Sequence, residues 1–398
     1  MYNYSTSAQS MRSSAIRELM KLAADPSIIS FAGGMPNNQL FPCEIVEELY
    51  HSLPLAEKQA AFQYGPTPGY PPLLEALKEY LRSRGLPVDT NELMVTSGAM
   101  QAISIISKVF VDTGDTVITE YPCFIGAVAA FKSHGANIAG VPIDNDGMDC
   151  DQFRTALSRD TKRVKLVYLS PYFHNPAGII YSQERKDAVA ALLAEHQVVL
   201  LEDDPYCELY FDEADKPLTT PLKATADSRF PICYVGSFSK IMGPGMRLGY
   251  ILAPPEITEK CALAKQSMDS CSATYTQVLA KAFLAENQLA PYVEKLRPVY
   301  KRRADIMLNA LDEHMPREGI SWTRPKGGFY VWVTLPEHMD STDVFKKSLE
   351  KGTAFVVGSA FDPQGVKNNC FRLAFSHTPE ERIAEGVEKV AHAVKELL

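Results

Sequence analysis

The sequence predicts an α/β fold in which a large unit with a mostly parallel sheet is covered by helices on both faces, and a smaller α+β unit follows. Three observations carry this. Strand-like and helix-like segments alternate through the middle of the chain, which is the pattern of a parallel sheet. The last hundred or so residues instead read as several short strands with a helix between them and one at the end. At 398 residues the chain is too long for one ordinary core.

Taken in order, the arm up to Cys43 is loop-rich, with a helix near Ser14 to Ala23. Thr96 to Val111 has helical apolar spacing and opens with Ser97-Gly98, straight after the strand-like Leu93-Met94-Val95. Asp115 to Tyr121 reads as a strand, Phe124 to Ser133 as a helix and Val164 to Ser170 as a strand. Ser182 caps a helix reaching His196, and Glu184 in its first turn suits the dipole. Val198 to Glu202, Ile232 to Gly236 and Gly249 to Ala253 are further strands. Thr274 to His314 reads as one long helical region, less regular around Pro291 and Pro298. Beyond it, Ile320 to Thr323, Gly328 to Thr334, Thr353 to Val357 and Asn369 to Phe375 read as strands. Ser341 to Lys351 and Pro379 to Leu397 read as helices. The expected division is an arm over 1–45 that joins the small domain, a large domain over 46–305 and a small one over 306–398.

Composition narrows the function classes. Hydrophobic residues at 46% and charged residues at 22% are ordinary for a globular protein. A net charge of −8 argues against a nucleic-acid partner, since phosphate backbones select for basic faces. Eight scattered cysteines without a CxxC pair fit reduced thiols and no metal site. No apolar stretch is long enough to span a bilayer, and Met1 to Met20 has no apolar signal core. The expectation is a soluble cytoplasmic protein without a membrane partner.

The chemistry concentrates in Ser237-Phe238-Ser239-Lys240-Ile241-Met242-Gly243-Pro244-Gly245-Met246-Arg247. Pro244-Gly245 bends the segment, so an amine and a guanidinium can face one small ligand. An amine placed there can form a Schiff base with an aldehyde, and the hydroxyls and arginine can hold a phosphate. Pyridoxal phosphate carries both groups. Other candidates fall at strand ends, where α/β sheets bind ligands. Asp203 and Tyr206 follow one strand, and Asn175-Pro176-Ala177-Gly178 follows another. The helix start at Gly98, Ala99 and Met100 offers free backbone N–H groups to an anion. Phe124 can lie flat on a heteroaromatic ring. His174 reads as a structural turn residue rather than a base.

These residues, with Phe31 to Pro36, Tyr64-Gly65 and Phe371-Arg372-Leu373, resemble in order and spacing a fold-type I pyridoxal-phosphate-dependent aminotransferase of class I/II. The Ala-Gly-Gly-x-Pro signature is most similar to the α-aminoadipate/kynurenine aminotransferase branch. The resemblance implies a seven-stranded large-domain sheet. It makes Lys240 the Schiff-base lysine and proton carrier, Asp203 the partner of the cofactor ring nitrogen, and Tyr206 and Asn175 the contacts to the ring oxygen. It gives the phosphate to Ser237, Ser239, Arg247 and the backbone at Gly98, Ala99 and Met100, and the ring face to Phe124. Tyr64 is to reach the phosphate of a neighbouring subunit, which implies a homodimer with shared active sites. Arg372, Gly34 and Asn175 are to receive the substrate carboxylate, and Arg17 a distal acidic group. The implied activity is transfer of an amino group from an L-amino acid to a 2-oxo acid such as 2-oxoglutarate, in a ping-pong cycle of amino-acid metabolism. Other cofactor chemistry on the same scaffold, a β-lyase or a decarboxylase, stays open, as does a non-catalytic regulatory module. A chain that is acidic and begins almost at once with the fold speaks against the module.

Overall fold

The computed structural model describes residues 2–4, 25, 27–160, 162–226, 228–365 and 367–398. Its main sheet has strands β2 (Glu92–Thr96), β3 (Thr116–Tyr121), β4 (Asn137–Asp144), β5 (Gly147–Met148), β6 (Val164–Leu169), β7 (Val199–Asp204), β8 (Ile232–Ser237) and β9 (Gly249–Ala253). They lie in the order β2-β9-β8-β7-β6-β3-β4-β5. The expected seven strands are there, and the two-residue β5 hangs antiparallel on the β4 edge as an eighth. The run β8-β7-β6-β3-β4 is parallel. β9 is antiparallel to both its neighbours, so β2 points the same way as β8. The carboxyl ends of β2, β3, β6, β7 and β8 therefore share one edge.

Period-two alternation sends successive side chains to opposite faces of each strand. On one face Leu166, Tyr168, Leu201, Cys233, Val235 and Ile251 pack with residues of the helices Ala99–Phe110, Ile125–Ser133 and Pro255–Gln266. On the other, Val167, Leu169, Leu200 and Ile232 pack with the helices Cys150–Arg159, Gln183–His196 and Leu222–Ala226. Strands buried on both faces read as nearly continuous apolar runs, as Val-Leu-Leu in β7 does.

The small sheet has β10 (Ser321–Trp322), β11 (Tyr330–Thr334), β13 (Val356–Val357) and β14 (Cys370–Ala374), in the antiparallel order β10-β11-β14-β13. The single strand expected over Thr353 to Val357 is two. β12 (Thr353–Ala354) pairs in parallel with β1 (Ile29–Ser30), whereas β13 pairs with β14. The segment from Ile29 is thus stitched to the C-terminal part of the chain. Phe31 donates its N–H to Ala354 O at 2.7 Å, and Ala374 N donates to Phe31 O at 2.9 Å.

Two helical expectations shift. The helix expected from Thr96 begins at Ala99, because Thr96 ends β2 and Gly98 takes a positive φ of 87° that interrupts the apolar run. The region Thr274 to His314 is two helices, Thr274–Ala285 and Leu289–His314, broken at Asn287 with φ 52°. Pro291 lies in the first turn of the second helix, where its missing N–H costs nothing, and Pro298 is held inside it. The helix expected near Ser14 to Ala23 lies outside the described residues.

Beneath the shared edge, Arg84 donates from Nη2 to Asp204 Oδ2 at 3.1 Å and from Nη1 to Tyr234 Oη at 2.7 Å. The Asp204 side chain is fully buried, so its charge depends on these partners. Arg84→Met should lower the unfolding free energy by about 2–3 kcal/mol, the scale for losing one partner of a buried charge. Urea denaturation checks this, and a loss under about 0.5 kcal/mol, no more than an ordinary surface change, would show that the pair carries no stability.

Candidate active site

A cavity of about 440 Å³ opens at the carboxyl ends of these strands. It gathers residues that are far apart in sequence. Lys240, Asp203, Tyr206, Asn175, Arg372, Gly34, Ala99, Met100, Phe124, Ser237, Ser239 and Arg247 all line it. Asp203 is the fifth residue of β7, and alternation turns it onto the Leu201 face while Asp204 faces Arg84. Of these two neighbouring carboxylates only Asp203 lines the cavity. Lys240 and Arg247 leave the end of β8 on either side of the bend at Gly243, whose φ is 110°.

The amine of Lys240 is half-buried and donates to Gly34 O at 3.0 Å. Burial disfavours its charged form, and the like charge of Arg372 adds to this. Together they bring its pKa from the usual lysine value down to about 8. Asp203 is buried; Oδ2 accepts from Tyr168 Oη at 2.7 Å, and Oδ1 has no partner. Burial is the main cause that lifts this carboxyl to about 7, with Asp204 and Glu120 adding to it. A buried carboxylate oxygen without a donor calls for an N–H from a ligand.

Arg372 comes from β14, opposite Trp332 and Val356. Its Nη1 donates to Asn175 Oδ1 at 2.7 Å and its Nη2 to Ala32 O at 2.6 Å. The guanidinium carbon sits 4.5 Å from the Tyr330 ring centre and 4.9 Å from that of Phe361. The buried Nε has no partner, so a fork of N–H donors remains for an incoming carboxylate. Asn175 accepts from Arg372 through Oδ1, which leaves its amide nitrogen as the donor. The Tyr206 hydroxyl lies 2.8 Å from Tyr330 Oη.

The anion end is equally defined. The helix Ala99–Phe110 has no side-chain cap at Gly98, so its first N–H groups stay free. Arg247 bridges Ser97 O at 3.0 Å and Pro244 O at 3.2 Å. Gly98 does not line the cavity. A Cβ on it would stand 2.8 Å from Arg247 Nη2, so its lack of a side chain lets the arginine close over the loop. Ser237 Oγ accepts from Ser239 N at 3.2 Å. An amine and an unpartnered carboxylate oxygen in one cavity, with main-chain donors and an arginine at an anion site, fit pyridoxal phosphate.

Besides Gly98, one expected residue among those described lies away from the cavity. Tyr64 is 87% exposed on the surface of this chain. Arg17 lies outside the described residues. His174 is buried, 3.3 Å from Glu120 Oε2, and accepts from Ala177 N, so it braces the turn as expected. Sequence reasoning missed Tyr168 and Tyr330. A phenol inside a buried apolar strand needs a partner for its hydroxyl, and that signal could have marked Tyr168. Tyr330 follows Gly327-Gly328, and a Cβ on Gly34 would lie 2.0 Å from its hydroxyl.

Comparison with known proteins agrees with this geometry. The profile of the family "Aminotransferase class I and II" matches residues 28–390. Aromatic-amino-acid aminotransferase 1 of Thermococcus litoralis is 38% identical, with 99% of this chain and 94% of that protein covered. The crystal structure of Pyrococcus horikoshii kynurenine aminotransferase, in complex with PMP, superposes with a TM-score of 0.94 at 37% identity, covering 99% of this chain and 97% of that one. LysN, the alpha-aminoadipate aminotransferase of Thermus thermophilus, complexed with N-(5'-phosphopyridoxyl)-L-leucine, gives 0.87 at 35% identity, with 99% and 97% covered. The chain is therefore a member of the class I and II aminotransferases, a pyridoxal-phosphate-dependent enzyme of fold type I.

Proposed function

We propose that the enzyme moves the amino group of an L-amino acid with a large, largely apolar side chain to 2-oxoglutarate or a similar 2-oxo acid, in a ping-pong cycle. The observation that carries this is the convergence of Lys240, Asp203 and Arg372 on one cavity whose remaining wall includes Met35, Ile125, Tyr330 and Phe361. The relatives named for aromatic amino acids and kynurenine support the same donor class.

The cofactor, when bound, supplies an aldehyde that bonds covalently to amines and a ring that withdraws electrons from the attached carbon. The residues supply the rest. Asp203 Oδ1 would accept from the ring nitrogen and, by opposite charge, favour its protonated form. Asn175 and Tyr206 would donate to the ring oxygen, and Phe124 would cover the ring face. Ser237, Ser239, Arg247 and the N–H groups of Ala99 and Met100 hold the phosphate. Arg372 grips the α-carboxylate, with Gly34 alongside. Lys240 would supply the amine that the aldehyde bonds, and its Nζ, when free and neutral, would take the proton from the donor Cα and give it back as general base and acid. Sodium borohydride should fix the cofactor on Lys240 in peptide maps, and label found on another lysine would overturn its role. In a screen of amino acids against the yellow enzyme, aromatic donors should bleach the visible band fastest. Faster bleaching by alanine or aspartate would overturn the donor class.

Lys240 also gives a pH signature. Its pKa of about 8 lies below the usual lysine value, so the reactive neutral amine appears at lower pH. In cofactor-free protein, its modification by trinitrobenzenesulfonate should rise with a midpoint near pH 8. Arg372→Gln removes a like charge and should move that midpoint upward. A midpoint at the ordinary lysine value in the wild type would contradict the burial argument.

The assembly proposed is a homodimer with shared sites. Phe62 and Tyr64 are 78% and 87% exposed, and Phe62 meets Tyr275 with ring centres 5.8 Å apart. Exposed aromatic clusters of this kind mark interaction faces. Tyr64 would then complete the phosphate site of the second copy. The division 1–45, 46–305 and 306–398 is retained as a proposal. Pairing of β1 with β12 supports the arm's place in the small domain, while the helix Leu289–His314 runs through the boundary. Eight cysteines, none of them in a disulfide among the described residues, support a reducing, cytoplasmic setting. Phe62→Glu should give monomers in sedimentation and weaken cofactor binding together. Monomeric wild type with full cofactor occupancy would refute the shared site.

A further inference from the structure

Tyr168 is the buried phenol on which Asp203 rests. Its side chain is 0% exposed, its ring meets Phe131 edge-on at 5.5 Å, and its hydroxyl donates to Asp203 Oδ2 at 2.7 Å. The other carboxylate oxygen, Oδ1, is buried without a partner. Both residues line the cavity. β6 and β7 pair so that Tyr168 stands opposite Leu201, two residues before Asp203 on the same face. A carboxylate tied at one oxygen to an immobile donor cannot turn freely about Cβ–Cγ. It presents the second oxygen in one plane.

We infer that Tyr168 is a positioning residue that fixes the plane of the Asp203 carboxylate and reserves Oδ1 as the acceptor for the cofactor ring nitrogen. The inference deepens the role proposed for Asp203 and rests on it. A second effect follows from the same bond. A donated hydrogen bond stabilises the carboxylate over the acid and opposes burial and the nearby Asp204 and Glu120, which favour the acid. The proton between Asp203 and the ring nitrogen is thereby held on the nitrogen. Without the phenol hydroxyl, it moves toward Oδ1.

The test uses the full-length enzyme reconstituted with cofactor labelled with ¹⁵N in the ring. Tyr168→Phe keeps the ring against Phe131 and deletes only the hydroxyl. Its ring-nitrogen resonance should move from the protonated toward the neutral pyridine position, and cofactor should dissociate roughly tenfold faster, as for one lost hydrogen bond to a charged group. Site-specific 3-fluorotyrosine at position 168 keeps the shape and strengthens the donor, and should move the resonance the other way. A merely structural tyrosine would move neither. Unchanged resonance and unchanged dissociation in a folded Tyr168→Phe enzyme would overturn the inference. Should that variant not fold, an unmoved resonance in the fluorotyrosine enzyme overturns it alone. Failure of the wild type to take up cofactor on Lys240 would refute the cofactor assignment instead, so the two failures are distinguishable.

Discussion

The site depends on the alternation of side chains at the end of β7. Glu202, Asp203 and Asp204 are three buried carboxyl groups in sequence, and the pleat sends them to opposite faces. Glu202 accepts from Leu222 N at 2.7 Å and Lys223 N at 2.9 Å, and so holds the start of the helix Leu222–Ala226. Asp204 is anchored by Arg84 and Tyr234. Of the three, Asp203 alone keeps an oxygen without a donor. A slip of one residue in the pairing of β7 would exchange these roles and point a satisfied carboxylate at the cavity. The apolar run before them, buried on both faces, is what makes that register costly to change.

Much of the site was legible because it sits at strand ends, and strand ends carry punctuation. Gly98, Pro244-Gly245, Asn175-Pro176 and Pro205 mark turns, and each functional residue around them lies beside one. The alternation of strand and helix through the middle was legible from its periodicity, although β4 was not read as a strand. What stayed hidden has physical causes. Thr96 was read into a helix because an apolar run crosses the strand and helix with only Gly98 between them. β9 was legible as a strand but not as an antiparallel one, since direction is set by partners and not by composition.

The missed tyrosines teach the same lesson from the side of tertiary contact. Tyr330 reads as an ordinary strand aromatic. Its role comes from three long-range neighbours: the hydroxyl of Tyr206, the guanidinium of Arg372 and the bare α-carbon of Gly34. None of these is near it in sequence. Tyr64 shows the reverse case. The resemblance gives it the phosphate of a second copy, and in the single chain it lies on the surface, outside the cavity.

One detail of the stitched segment reaches further. Ala32 and Gly34 stand two residues apart, and their carbonyls receive Arg372 Nη2 and Lys240 Nζ respectively. The same short stretch is tied down by Ser376 Oγ to Met35 O at 2.7 Å and Thr378 Oγ1 to Ser30 O at 2.8 Å. The guanidinium and the amine are therefore both tied to one short length of backbone. A displacement of that stretch would carry both hydrogen bonds with it, so the placing of amine and guanidinium is set in common.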